Sequence, residues 1–96
     1  MALSERQEIE VIEIVSKYKQ VQVKRVTIIS RDGEDISKSN FRYVLSPGYL
    51  NEAQEFVDTD LSDQPSEVSS ICQAAWTQSV KDAWRDFLIL QDGEGL

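Results

Sequence analysis

The sequence predicts an α+β fold: a three-stranded antiparallel β-meander followed by two C-terminal helices. Three observations carry this reading. The stretch Val21 to Ser30, Val-Gln-Val-Lys-Arg-Val-Thr-Ile-Ile-Ser, is dense in β-branched residues and reads as a strand. Apolar-rich segments lie on both sides of it, and sequential strands tend to pair. Beyond Pro65 the apolar period changes from that of a strand to that of a helix. Strands first and helices second is an α+β order.

Taken in order, residues 1–6 read as a polar arm, 7–46 as the meander and 47–63 as a loop with a short helix. Residues 64–91 then read as a helical pair and 92–96 as a mobile tail, all within one domain of 96 residues. Glu8-Ile9-Glu10-Val11 alternates as a strand does. The phase slips at Val11-Ile12, which puts Ile12 and Ile14 opposite Ile9 and Val11. Ser16 to Gln20 suits a hairpin loop, although neither Gly nor Asn marks its type. The middle strand also slips phase: Val21 and Val23 share one face, and Val26 and Ile28 the other. Matching slips in neighbouring strands predict a β-bulge or a strongly twisted ribbon. One half of the strand should face the helices. The other half needs cover from residues 49–57 or from another subunit.

Arg31-Asp32-Gly33-Glu34-Asp35 is the clearest turn, because Gly supplies the positive φ a hairpin needs. Five residues also leave room for a looser loop. The third strand runs from Ile36 to Leu45, with Phe41, Tyr43 and Leu45 on one face. Ser46-Pro47-Gly48 ends it. Asn51 to Val57 suggests a helical turn capped by Asn51. Asp58 to Asp63 is an acidic loop. Pro65 suits a first helical position, and Val68, Ile71, Cys72, Ala75 and Trp76 form one apolar stripe. Thr77 reads as the N-cap of a second helix with Val80, Trp84, Phe87 and Leu88 on its stripe and Asp92-Gly93 at its end.

Composition narrows the chemistry. The net charge is −7, divided as +2 over residues 1–31, −6 over 32–63 and −3 over 64–96. Such a chain repels phosphate backbones, so nucleic-acid binding is disfavoured. There is no His, hence no imidazole base or metal ligand. The single Cys72 has no His to activate it and lies on the apolar stripe, where it reads as a core residue. Asp58, Asp60 and Asp63 lack the Gly and the distal Glu of an EF-hand loop, and read as a solvated loop. No segment is apolar and long enough to span a bilayer. The N-terminus has no apolar core of a secretory signal, so synthesis in the cytoplasm is the expectation. The sequence points away from an enzyme and implies no cofactor, metal, membrane or small-molecule substrate.

The aromatic residues and the apolar C-terminal run carry the remaining signal. Phe87-Leu88-Ile89-Leu90 is apolar on every side of a helix, the pattern of an element sandwiched within the fold or docked onto another chain. Candidate interface residues are Tyr18, Tyr49, Phe56, Trp84, Phe87, Ile89 and Leu90, aromatic and aliphatic groups of the kind that anchor interfaces.

Two stretches carry a resemblance. One is Arg31 to Ser39 running into Phe41-Arg42-Tyr43-Val44-Leu45-Ser46-Pro47-Gly48. The other is Asp60-Leu61-Ser62-Asp63-Gln64-Pro65-Ser66-Glu67-Val68 running into Ala74-Ala75-Trp76-Thr77. Together they resemble small uncharacterised proteins encoded among the structural and tail genes of tailed bacteriophages. The likeness spans roughly residues 7–84. This chain departs from the pattern by extra residues from Tyr49 to Thr59 and by its apolar end. The resemblance implies a virion protein made in the host cytoplasm, acting through contacts with itself as a homo-oligomer or with other virion proteins. It carries over no catalytic residue. The competing expectation is an acidic inhibitor, a nucleic-acid mimic that binds a host protein, suggested by the −9 carried by residues 32–96.

Overall fold

The structure is a computed structural model that describes residues 2–94. It has the α+β architecture that the sequence predicts. Strands β1 (Leu3–Val15), β2 (Gln20–Arg31) and β3 (Glu34–Leu45) form an antiparallel sheet in the order β1-β2-β3. A second sheet pairs β4 (Gly48–Leu50) with β5 (Phe56–Asp58), and helices α1 (Ser66–Ala75) and α2 (Gln78–Glu94) follow. The molecule is elongated, 58 × 28 × 22 Å.

The phase slip has a structural cause. Ile9 pairs with Arg25 and Val11 with Lys24, so Glu10 is an extra residue in β1. The bulge places Ile9, Ile12 and Ile14 on one face and Val11 on the other, which corrects the simple alternation read from the sequence. β2 itself runs straight through Lys24-Arg25 in register with β3. Its apolar residues therefore change face, Val21 and Val23 on one side, Val26 and Ile28 on the other.

The helices cover only the first of these sides. Val68, Cys72 and Trp76 of the α1 stripe pack on Val21 and Val23, with Ile9, Ile12, Tyr43 and Leu45 around them. Trp76 Nε1 donates to the Lys19 carbonyl at 2.7 Å, tying the helix junction to the β1–β2 turn. That turn holds Ser16 and Lys19 at φ of 67° and 55°. A left-handed residue with a side chain costs about 1–2 kcal/mol, and the indole contact offsets part of that. This is why neither Gly nor Asn is needed to mark the turn.

Other expectations are corrected. The supposed polar arm is strand, because β2 continues to Arg31 and Leu3 pairs opposite it. Ala2 and Asp32 exchange two hydrogen bonds that clasp the start of β1 to the hairpin tip. The tip is a two-residue loop: Asp32 and Gly33 have φ of 51° and 85°, a type I′ turn. Asn51 caps no helix. Its Oδ1 accepts the Ala53 and Glu55 N–H groups and shapes the β4–β5 turn. Pro65 stands one residue before α1. Thr77 does cap α2, its Oγ1 accepting the Val80 N–H at 3.4 Å. Asp92-Gly93 does not stop α2, which runs to Glu94. Of the expected tail, Gly95 and Leu96 lie outside the described residues.

Gly48 sits where a Cβ would collide with the Phe56 ring and the Val57 carbonyl. Gly48→Ala is expected to destabilise the fold by about 1–3 kcal/mol through overpacking, read as a lower urea midpoint. Trp76→Phe, which removes the bond to Lys19, should cost about 1–3 kcal/mol in the same assay.

Candidate functional site

The structure divides the seven sequence-selected interface residues into three groups. Tyr18, Trp84 and Phe87 pack on one another, with ring centroids 5.0–5.5 Å apart. Tyr18 thereby pins the β1–β2 turn to α2, and all three side chains are half-buried. Trp84 Nε1 donates to the Gly48 carbonyl at 2.8 Å and links this cluster to the second sheet. There Phe56 lies against Gly48, while Tyr49 is 53 % exposed. Ile89 and Leu90 form the third group, exposed near the end of α2. An open groove bordered by Val44, Tyr49, Leu50 and Leu88 separates α2 from the end of β3.

Exposed apolar residues also lie on both faces of the main sheet. Val11, Ile29, Ile36, Phe41 and Val44 are all exposed, the last two at 54 %. Phe41 projects on the helix side in the row of Tyr43 and Leu45, but the helical layer stops short of it. It stacks on Arg25 instead, with the guanidinium 5.2 Å from the ring centroid, and packs beside Tyr43. Alternation alone puts Phe41 on the face of Tyr43 and Leu45 and reads it as covered; its exposure comes from the extent of the helical layer, which the sequence does not give.

The opposite face of the sheet is charged above and apolar below. Arg6 reaches Asp35 through two bonds of 3.1 Å, and also bonds Glu8 and Ser30. Ser30 Oγ donates to Asp35 at 2.6 Å. Glu10, the bulged residue, pairs with Lys24 at 3.0 Å and Lys38 at 3.4 Å. The register places these groups around Val26, Ile28 and Ser30, which are buried with no helix over them. Their aliphatic stems form the cover, as long charged side chains do. The second half of β2 is therefore roofed by its neighbours in the sheet. Residues 49–57 do not cover it; β4 packs with α2.

The ionisable groups fit structural roles. The Arg6 guanidinium, followed by the Ser30 hydroxyl, holds the Asp35 carboxyl below its usual range. The Lys24 ammonium does the same for Glu10, helped by Lys38. Burial pushes the Cys72 thiol up, away from the thiolate a nucleophile needs. Burial likewise raises the Tyr43 phenol, whose hydroxyl donates to Gln64 at 2.7 Å. The acidic loop does not converge on a point. Asp58 pairs with Lys81, and Asp60 accepts the Ser62 N–H, which lowers its pKa. Among the described residues no three His, Cys, Asp or Glu side chains gather in a metal-binding cluster, and no helix is long and apolar enough to cross a membrane.

No protein-family model, curated protein or solved structure matches the chain.

Two outcomes follow from the charged face and the core thiol. Asp35 and Glu10 titrate lower folded than their ordinary values of 3.8 and 4.5. Their stabilisation is thus complete above about pH 5 and lost as pH falls through the folded values. Acid unfolding followed by circular dichroism should begin in that window, and a double Asp35→Asn, Glu10→Gln variant should show a shallower pH dependence. Cys72 should resist a thiol reagent in native buffer and react fully in denaturant, so rapid native labelling would contradict the assigned burial.

Proposed function

We propose that this chain is a small structural protein of tailed-phage particles, working by protein–protein contact within an oligomeric assembly and not as an enzyme. The observation that supports this reading best is the distribution of apolar groups. Among the described residues seven hydrophobic ones are buried, whereas ten large ones, from Leu3 to Leu90, are 37–61 % exposed. Exposed apolar groups that border one groove, as Val44 and Tyr49 do, are the kind of surface that marks a protein–protein contact. The phage attribution comes from the likeness of Arg31–Gly48 and Asp60–Thr77 to proteins of that class.

The acidic-inhibitor reading has weaker support. A nucleic-acid mimic needs carboxylates free to meet a basic groove. Here Asp35, Asp58, Asp82, Asp86 and Glu10 already face cations of the same chain.

Mass spectrometry of purified particles from a phage encoding this chain should find it at a fixed stoichiometry with the tail or capsid proteins. Its absence from particles, together with capture of a single host nuclease or polymerase in a salt-sensitive complex, would favour the inhibitor.

A further inference from the structure

The main sheet is two hairpins that share β2 and close at opposite ends. β1 and β2 turn at Ser16–Lys19, beside the helices, and β2 and β3 turn at Asp32–Gly33, at the far end. The far end is therefore the open mouth of the β1–β2 hairpin. There Ala2 meets Asp32, 30 residues away in the chain.

What holds β1 to the sheet changes along its length. Ile9 and Ile12, on either side of the Glu10 bulge, pack on the helical core. From Ala2 to Glu8 every residue is exposed. Among the described residues, only two side-chain attachments join this segment to the rest of the fold. Arg6 bonds Asp35 and Ser30, and Ala2 exchanges bonds with Asp32. The remaining hold is the backbone ladder to β2, which the bulge interrupts at Glu10. Segments with exposed ladder bonds and few buried apolar contacts open well below the stability of the whole fold. Yet this segment covers apolar groups. Ser4, Arg6 and Glu8 lie opposite Ser30, Ile28 and Val26, and all three of those partners are buried.

We propose that Leu3–Glu8 is a strap that opens from β2 as a unit, hinged at the Glu10 bulge and latched by Arg6, while the rest of the fold stays closed. The far part of β3, Glu34–Asn40, is equally exposed. Its two-residue turn, however, leaves almost no loop to close, so the β1 side opens and the β3 side holds. Asp35 keeps its bond from Ser30 when Arg6 leaves, and Ile9 and Ile12 stay on the helical core. Opening bares Val26 and Ile28 on one face and frees the β2 edge from Val26 to Arg31. The closed molecule thus conceals an apolar strand edge of the kind that proteins keep covered.

Hydrogen exchange followed by NMR on the parent chain tests this without any substitution. Amides bonded between Leu3–Glu8 and Val26–Arg31 should exchange through a local opening that is insensitive to low urea. Those bonded between Val11–Val15 and Gln20–Lys24 should exchange only with global unfolding. Asp35→Asn removes the ionic part of the latch and leaves the Arg6 stem over Ile28. It should speed exchange in the strap alone by about 2- to 5-fold. In a Cys72→Ala background, an Ile28→Cys thiol should react in native buffer, whereas a Val23→Cys thiol beneath the helices should stay protected. Circular dichroism of each variant establishes that it is folded. Uniform protection along β1 overturns the proposal, as does opening that begins in Glu34–Asn40. So does strap exchange indifferent to Asp35→Asn, or a thiol at position 28 as protected as one at position 23.

Discussion

The fold is governed by a mismatch of lengths. A twelve-residue strand such as β2 extends roughly 40 Å. The ten-residue helix α1 that covers it extends roughly 15 Å. One helical layer therefore shields the first half of the sheet and leaves the second half without one. Everything distinctive in the molecule answers that shortfall. β2 moves its apolar residues from one face to the other where the helices end. The Glu10 bulge keeps Ile9 in line with Ile12 under the helices while returning β1 to the opposite alternation beyond it. Long charged side chains then take over as cover for Val26 and Ile28.

The two kinds of cover differ in physical character. At the helical end, shielding comes from apolar packing and from two indole bonds, Trp76 to Lys19 and Trp84 to Gly48. At the far end it comes from stems whose charged heads remain in water. Exposed ion pairs contribute at most about 1 kcal/mol each, so their value lies in the methylene groups they lay over Val26 and Ile28. Arg6 is the exception in geometry, because its bidentate contact with Asp35 is reinforced by Ser30. These interactions bridge all three strands and hold the far end to one register.

Much of this arrangement is legible in the residues. The β-branched middle strand, the Asp32-Gly33 turn, the Val68–Trp76 stripe and the Thr77 cap all stand where local chemistry puts them. What local chemistry does not supply are the features set by distant partners. The turn at Ser16–Lys19 adopts left-handed backbone without Gly because Trp76 bonds to it from the helix junction and its own Tyr18 packs on α2. Asn51 reads as a helix cap, since the same side-chain acceptor that caps a helix also folds a tight turn. The first residues look like an arm because Ser4, Glu5 and Arg6 are polar, yet they pair with a strand already committed to Arg31. The surface residues divide in the same way. Aromatic identity singles out Tyr18, Trp84 and Phe87, which serve one another. Phe41 passes as an ordinary strand residue, because only the reach of the helices shows that it is left outside, and Val44 lies on the face the helices do not cover.

The Trp76–Lys19 bond has one more consequence. It joins residues 57 apart in the chain, whereas the strands of the sheet meet through loops of two and four residues. In a flexible chain, closing a loop of that length costs roughly 3.6 kcal/mol beyond a constant shared by all loops. The sheet is thus nearly free of long-range ordering entropy, and the helical layer carries most of it. Val68, Cys72 and Trp76 must offset that term together, which makes attachment of the helices an all-or-none event for a chain whose strands are held by neighbours.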